Sequence, residues 1–404
     1  MAVALGFAVE IFLLRSWREK GYSGEPGRRK CPKNLFYTSQ IKRKIQLMNI
    51  KAFKYLSPLS IYFLAAISFS FTGIFTWLPL IYAWVLVPLL ELILPSNNSN
   101  LSAAEEDMAR QNKWYDYMLY LIVFFQYAAL AYFLLSMKQP RLSGWDITGR
   151  IFTMGLLCGT FGINVAHELG HRVDRNEQFL AKLLLATSLY MHFFIEHNKG
   201  HHKNVATPKD PSSAHYNEPI YLFYCRTILF SYISAWHIAN SDCRKKGLPV
   251  MSYKNEMIQA HFFQLLLVAI IYFLFGGWIT LYFFAAAAIG IALLETVNYI
   301  EHYGLQRIQT EEGKYERAMV HHSWNSSYPL GRIMLFELSR HSDHHYMASR
   351  KYQVLQHHLD APQLPTGYPG SMILSLIPPL WFYVMNKKIK DIKEQADYPA
   401  LALE

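Results

Sequence analysis

Seventeen histidines occur in this 404-residue chain, and none precedes His167. Nine of them fall in four clusters: His167-Glu-Leu-Gly-His171, His197-Asn-Lys-Gly-His201-His202, Glu301-His302 and His341-Ser-Asp-His344-His345. Residues three or four apart on a helix share a face. On that rule His167 points with His171, His197 with His201, and His341 with His344 and His345. Hydrogen bonding alone does not require nine imidazoles so placed. One zinc ion takes three or four ligands. The count therefore fits two metal ions with four or five histidines each, and neutral imidazole suits iron, zinc or copper. His167-Glu168-x-x-His171 also matches the zinc-protease signature. A protease needs a single further ligand, however, and that reading leaves three clusters without a purpose. His321 and His322 are expected to support the centre rather than bind metal. His192, His215, His237, His261, His357 and His358 are expected to be structural.

Apolar stretches have to place these clusters. Residues 55–94 contain one charge, Glu91, and residues 117–137 contain none. Residues 147–166 are interrupted only by Arg150, and residues 257–294 hold no Asp, Glu, Lys or Arg. About 20 apolar residues cross the hydrocarbon core of a bilayer. The first and last stretches are twice that length and read as hairpins, turning at 72–79 and at Gly276-Gly277. Six spans follow, at about 56–74, 76–94, 117–137, 147–166, 257–275 and 278–297. The expected fold is all-α and integral to the membrane: a six-transmembrane-helix bundle with a cytoplasmic, histidine-rich catalytic domain. Two weaker apolar stretches, 179–195 and 370–385, read as interfacial or half-inserted helices.

The chain is 52% hydrophobic and 17% charged, with a net charge of +10. Soluble domains carry about 25% charged residues, and a chain this apolar is not disordered. The first 54 residues hold twelve lysines and arginines against three glutamates, which is +9 of the +10. The charge is thus a basic head rather than a field that would attract nucleic acid. Under the positive-inside rule it places the N-terminus, and with it residues 167–256 and 295–404, on the cytoplasmic side. A metal transporter would need polar residues inside the spans, and these have almost none. The four cysteines form no C-x-x-C pair, so no zinc ribbon or rubredoxin-type iron centre is encoded.

His167–Arg172, Glu196–His202 and Arg340–His345 resemble the three histidine boxes of the membrane non-haem di-iron proteins. That group includes fatty-acid desaturases, hydroxylases, xylene monooxygenase and alkane monooxygenase. Asn298-Tyr-Ile-Glu-His302-Tyr-Gly-Leu305 resembles the additional motif of the alkane 1-monooxygenase (AlkB) family, and residues 205–211, 321–326 and 364–370 are similar to that family too. The resemblance covers residues 48–386, which it implies are the membrane di-iron hydroxylase domain. Residues 1–47 then read as a basic extension upstream of a start at Met48, and 387–404 as a charged tail. The resemblance implies hydroxylation of the terminal methyl of n-alkanes to 1-alkanols, with O2 as co-substrate, in the inner membrane. It implies two irons on His167, His171, His197, His201, His202, His302, His341, His344 and His345. Electrons would come from rubredoxin and its NADH-dependent reductase, as separate chains since this one has no C-x-x-C. The alternative is a related hydroxylase or desaturase acting on aromatic methyl groups or fatty acyl chains, against which the 298–305 motif speaks.

A methyl C–H bond offers no polar handle, so the hard step belongs to metal and O2 while the protein supplies position and a dry site. Glu168, Glu196, Glu301 and Asp343 adjoin the expected ligands. With Asn298 they are expected to orient the rings through the distal N–H. An apolar substrate should enter from membrane lipid into a tunnel between the spans. The family resemblance implies that a bulky residue of the second span, Trp84, limits chain length there. Rubredoxins are small and acidic, so docking is expected on Arg172, Arg175, Lys199, Lys203, Arg340, Arg350 and Lys351.

Overall fold

A computed structural model describes residues 49–396. The expected extension at 1–47 and the last residues of the expected tail lie outside them. Six helices are long and apolar enough to cross a membrane: Asn49–Ser70, Gly73–Ile93, Lys113–Ser136, Gly144–Gly170, Glu256–Phe275 and Gly277–His302, spans one to six. Among the described residues there are two isolated bridges and no β-strand. The number of spans agrees with the sequence reading, but several bounds move. Span four continues to Gly170 and span six to His302, past the apolar stretches. Hydropathy marks only the part that hydrocarbon would cover, whereas a helix continues while its backbone bonds are made. His167 and His302 therefore sit on the last turns of spans, not on separate segments.

Polar caps set where the spans begin. Ser143 and Asp146 form a reciprocal capping box at span four, and the Asn112 and Asn255 side chains accept from Trp114 N and Met257 N. Asp146 Oδ1 also receives the Gly73 N–H at 2.6 Å. That bond fixes the first hairpin turn, which lies at 71–72 and is earlier than the sequence suggested. The second turn falls at Gly276, whose φ of +83° favours glycine.

Span four is the axis of the bundle: 78% of its most apolar stretch is buried, against 11% for span five. It crosses span six through glycines. A Cβ on Gly290 would lie 2.6 Å from the Cβ of Cys158, and one on Gly159 would lie 2.9 Å from the Cβ of Leu293. Only small residues let two backbones approach this closely, and the crossing carries His167 and His302 to the same end of the bundle. Large apolar side chains such as Phe63, Leu92, Phe124, Phe273 and Trp278 are exposed on the spans, where hydrocarbon would cover them.

The two stretches expected as half-inserted helices are each broken. Residues 179–195 divide into Arg175–Ala186 and Phe193–Glu196, and 370–385 into Tyr368–Ser375 and Pro378–Ala396. Pro378 and Pro379 fit the first turn of a helix but cannot continue one. The final helix runs through position 387 without a break. Sequence hydropathy missed the 26-residue helix Ile220–Lys245, since Arg226 interrupts its apolar run, its buried side includes Thr227 and Ser231, and its last turn is charged. A buried carboxylate, Glu337, ties the segment before the last histidine cluster to span one. It accepts from Tyr55 Oη at 2.7 Å, Lys54 Nζ at 3.0 Å and Arg332 Nε at 2.6 Å. Burial alone would raise this carboxyl, but Lys54, Arg332 and Arg340 outweigh it and hold it below the usual carboxylate range.

Candidate metal centre

The nine clustered histidines meet at one end of the bundle in two groups. His167, His171, His197, His202 and His344 form one, and His201, His302, His341 and His345 the other. Within each group the candidate ligand atoms lie within 4.8 Å of one another. In the five-histidine group the Nε2 atoms make a chain of contacts: His167 to His344 at 2.8 Å, His344 to His202 at 3.1 Å, His202 to His197 at 3.0 Å, and His197 to His171 at 3.1 Å. In the other group His201 meets His345, and His302 meets His341, both at 3.2 Å.

The helical rule holds for His167 and His171, which share a group. It fails for His197 and His201, which separate. Residues His197–His201 form a π-helical turn, in which the bonding partner is five residues away rather than four. His202 therefore takes the place beside His197, and His201 turns to the second group. His344 likewise leaves His341 and His345, so one short helix, His341–Tyr346, serves both groups.

Such geometry suits a cation better than hydrogen bonds. A neutral imidazole carries one N–H, so nitrogens facing one another in series leave lone pairs directed at lone pairs. Burial pushes His171, His197, His341, His344 and His345 far below the ordinary imidazole range, and His202 down to about 3, so these rings stay neutral. His201 differs. Burial opposes its charge, but the Asp210 carboxylate outweighs burial and raises it, while His201 in turn holds Asp210 low. Asp210 Oδ2 lies 2.9 Å from His201 Nδ1. That contact puts the proton on Nδ1 and leaves the Nε2 lone pair aimed into the group. The converging neutral donors fit two metal ions.

The expected supporting acids are less uniform than the sequence suggested. Glu301 Oε2 lies 3.1 Å from His341 Nε2, the nitrogen that also faces His302 and not the distal one expected, and its other oxygen accepts from Tyr368 Oη at 2.7 Å. Glu168, however, receives Arg172 Nη2 at 2.7 Å and the Tyr352 N–H at 3.1 Å. Asp343 receives Arg350 Nη1 at 2.8 Å on both oxygens, the Gln356 N–H, and a contact from His358 Nε2 at 2.7 Å. These two acids serve arginines and backbone instead of the clustered rings. Side chains on a helix diverge by about 100° per residue, so adjacency to a ligand does not bring an acid to its ring. Glu196 is buried beside Ser234, and burial raises its carboxyl to about 8. Asn298 Nδ2 donates to Glu295 at 3.1 Å. Sequence reading missed Asp210, although it was the one acid in the segment 205–211. It also missed Ser323, whose Oγ lies 3.4 Å from His302 Nδ1.

His321 and His322 gather with Glu316 in a third small group. There His322 Nδ1 accepts the Met319 N–H at 2.9 Å and its Nε2 lies 3.2 Å from Glu316, so that ring is occupied without a metal.

The expected basic docking face is divided: two of its seven residues are buried, two are half-buried, and Arg175, Lys199 and Lys203 are exposed. Arg172 and Arg340 are buried. Arg172 serves Glu168 and Asp116, and Arg340 serves the carbonyls of Leu355 and Ser99. Arg350 is bound to Asp343, Lys351 to Asp116, and Lys199 to Asp242 and Glu256. Arginines beside a histidine box were read as surface because linear sequence does not show depth.

Trp84 lines a cavity between spans one, two, four and six. Its wall is largely aliphatic, with Ile61, Leu156, Leu293, Val297, Met334 and Leu338, and it reaches His167 of the five-histidine group. Trp84 stands in a π-helical turn, Tyr82–Leu86, and span four has another at Cys158–Ile163. All three π-turns among the described residues thus border the centre or its cavity, where such turns are commonly found.

Comparison with known proteins follows the same lines. The fatty acid desaturase family model matches residues 143–371. An alkane 1-monooxygenase of Ectopseudomonas oleovorans is 37% identical over 319 residues, 79% of each chain. Alkane 1-monooxygenase 1 of Pseudomonas aeruginosa is 44% identical over 249 residues, 61% of this chain and 65% of that one. A xylene/toluene monooxygenase hydroxylase component of Pseudomonas putida is 29% identical over 247 residues.

Proposed function

The chain belongs to the alkane 1-monooxygenase family, within the wider fatty acid desaturase family, and on that premise we propose that it hydroxylates the terminal methyl of n-alkanes to 1-alkanols. One observation carries the reading: His167, a member of the five-histidine group, forms part of the wall of an otherwise largely aliphatic cavity. An apolar chain has nowhere to hydrogen-bond in such a wall. Burial of CH2 groups, each contributing about 0.8 kcal/mol, holds it, and the shape of the cavity decides which carbon faces the histidines.

The nine histidines would hold two irons, which when bound would supply the O2-activating, C–H-cleaving chemistry that no side chain provides. The protein's part is position and protonation state. Asp210 fixes the tautomer of His201, burial keeps His171, His197, His202, His341, His344 and His345 neutral, and the aliphatic wall excludes water. Trp84, on the cavity wall, sets the length of chain accepted. The overall stoichiometry takes one alkane, one O2, two electrons and two protons to one alcohol and one water. A separate rubredoxin, reduced by its NADH-dependent reductase, supplies the electrons. Rubredoxin docks at the metal end of the bundle, near Arg175 and Lys203. That end lies in the cytoplasm, since the loops at the opposite end carry little basic charge beyond Lys138 and Arg141.

The test is a product assay with n-alkanes of graded length, O2 and reduced rubredoxin, paired with metal analysis. About two irons per chain and 1-alkanol as the sole new product are expected. One zinc per chain, or an alkene product, would overturn the reading.

A further inference from the structure

Asn164, on the wall of the alkane cavity, carries a buried polar atom that an alkane cannot use. Asn164 stands one helical turn before His167 on span four, and both line the cavity. Its side chain is 8% exposed. The amide nitrogen donates to the Leu335 carbonyl at 3.1 Å. Only the NH2 end can donate to a carbonyl, so this bond fixes the orientation of the amide. The oxygen, Oδ1, is left buried without a donor. A buried acceptor left unsatisfied is costly, and an alkane in the cavity offers it nothing.

The product of the proposed reaction does offer a donor. A 1-alkanol carries its new O–H at the carbon that faced the histidines, and Asn164 adjoins His167 at that end of the cavity. We propose that Asn164 Oδ1 accepts the hydroxyl hydrogen of the product 1-alkanol, so that the cavity discriminates in favour of the alcohol over the alkane it came from. The inference rests on the hydroxylase reading above. It assigns to this chain a product-binding residue separate from the metal ligands. It also makes product retention a property of one side chain.

The experiment uses the full chain, loaded with its metal in detergent micelles and without an electron donor. Thermal-shift titrations with n-octane and with 1-octanol give the two affinities, for the wild type and for Asn164→Leu, which keeps the volume and removes the acceptor. The preference for 1-octanol over n-octane is expected to fall about tenfold in Asn164→Leu, the effect of one neutral hydrogen bond. A purely structural role would weaken both ligands together and leave the preference unchanged, which would overturn the proposal. Should the leucine variant not fold without its tie to Leu335, Asn164→Ala is read by the same preference. Asn164→Asp, which retains an acceptor, is expected to stay within about twofold of the wild type, and a fall matching that of leucine would also overturn the proposal. Turnover of n-octane by the wild type is measured separately. Its absence would sink the hydroxylase reading, whereas intact turnover with an unchanged binding preference sinks only the role of Asn164.

Discussion

The five-histidine and four-histidine groups use the same ligand chemistry, yet what stands behind the rings differs. Beside the five-histidine group Glu168 is spent on Arg172, and Asp116 on Arg172 and Lys351, while Asp343, on the helix that serves both groups, is spent on Arg350. Around the four-histidine group carboxylates reach the rings themselves, with Asp210 at His201 and Glu301 at His341. Neither of these acids pairs with a lysine or arginine among the described residues. Depth differs as well. All four rings of the second group are buried, whereas His171 and His202 of the first are half-exposed. The contrast teaches that two sites built from neutral imidazole can still be unequal. One is deep with acids at two of its rings, and the other has two rings that reach the surface, as the proposed delivery of electrons by rubredoxin would require.

The largest expected effects would come from removing a ligand on either side. His302→Ala and His171→Ala should each lower metal content from about two to about one per chain, with activity falling by more than about 100-fold, since loss of even an outer partner costs 10–100-fold. A variant that retains both ions would break the division into groups. Next, Asp210→Asn should weaken metal retention against a chelator by about 10–100-fold, whereas Glu168→Gln should change it less than that. Metal analysis during chelator titration measures both, and equal losses would erase the contrast. A smaller change, confined to the substrate side, is expected at Trp84. Trp84→Ser should move the preferred alkane several CH2 groups longer, each worth about 0.8 kcal/mol of burial, as read from the product profile. The smallest effect concerns the surface. Arg175→Glu with Lys203→Glu should reduce the rate at limiting rubredoxin a few-fold at low salt, with little difference at high salt, where a Debye length of about 8 Å screens exposed charge. A rate independent of both salt and substitution would remove the electron-entry half of the comparison.

How much of this was legible beforehand depends on the kind of signal. The spans were readable because hydrocarbon demands long apolar runs, and the nine histidines because their spacing repeats at helical intervals. Their division was not, for a π-turn at His197–His201 leaves no mark in the residue types and rotates His201 away from its expected partner. Asp210 was missed because a loop residue has no periodicity to place it. Arg172 and Arg340 were misread as surface because an arginine in sequence looks alike whether it meets solvent or, as here, buried acids and carbonyls. The Ile220–Lys245 helix escaped for a related reason: its buried face mixes Thr227 and Ser231 with apolar residues, and Arg226 interrupts its apolar run.

The π-turns bear on what length changes this chain can tolerate. Each is a wide turn that absorbs a surplus residue without turning the helix beyond it, so deleting a position within Cys158–Ile163 would leave the later residues in phase, whereas deleting one in the regular helix that follows, between Ile163 and His167, would not. After the latter deletion everything beyond would rotate by about 100° and retreat by about 1.5 Å. His167 and His171 would swing away from His344 and His197 although every one of the nine histidines remained in the sequence. In such a fold the ligands are kept together by phase as much as by identity. A deletion of one residue, ordinarily the mildest of lesions at the end of a helix, would there be equivalent to erasing two ligands at once.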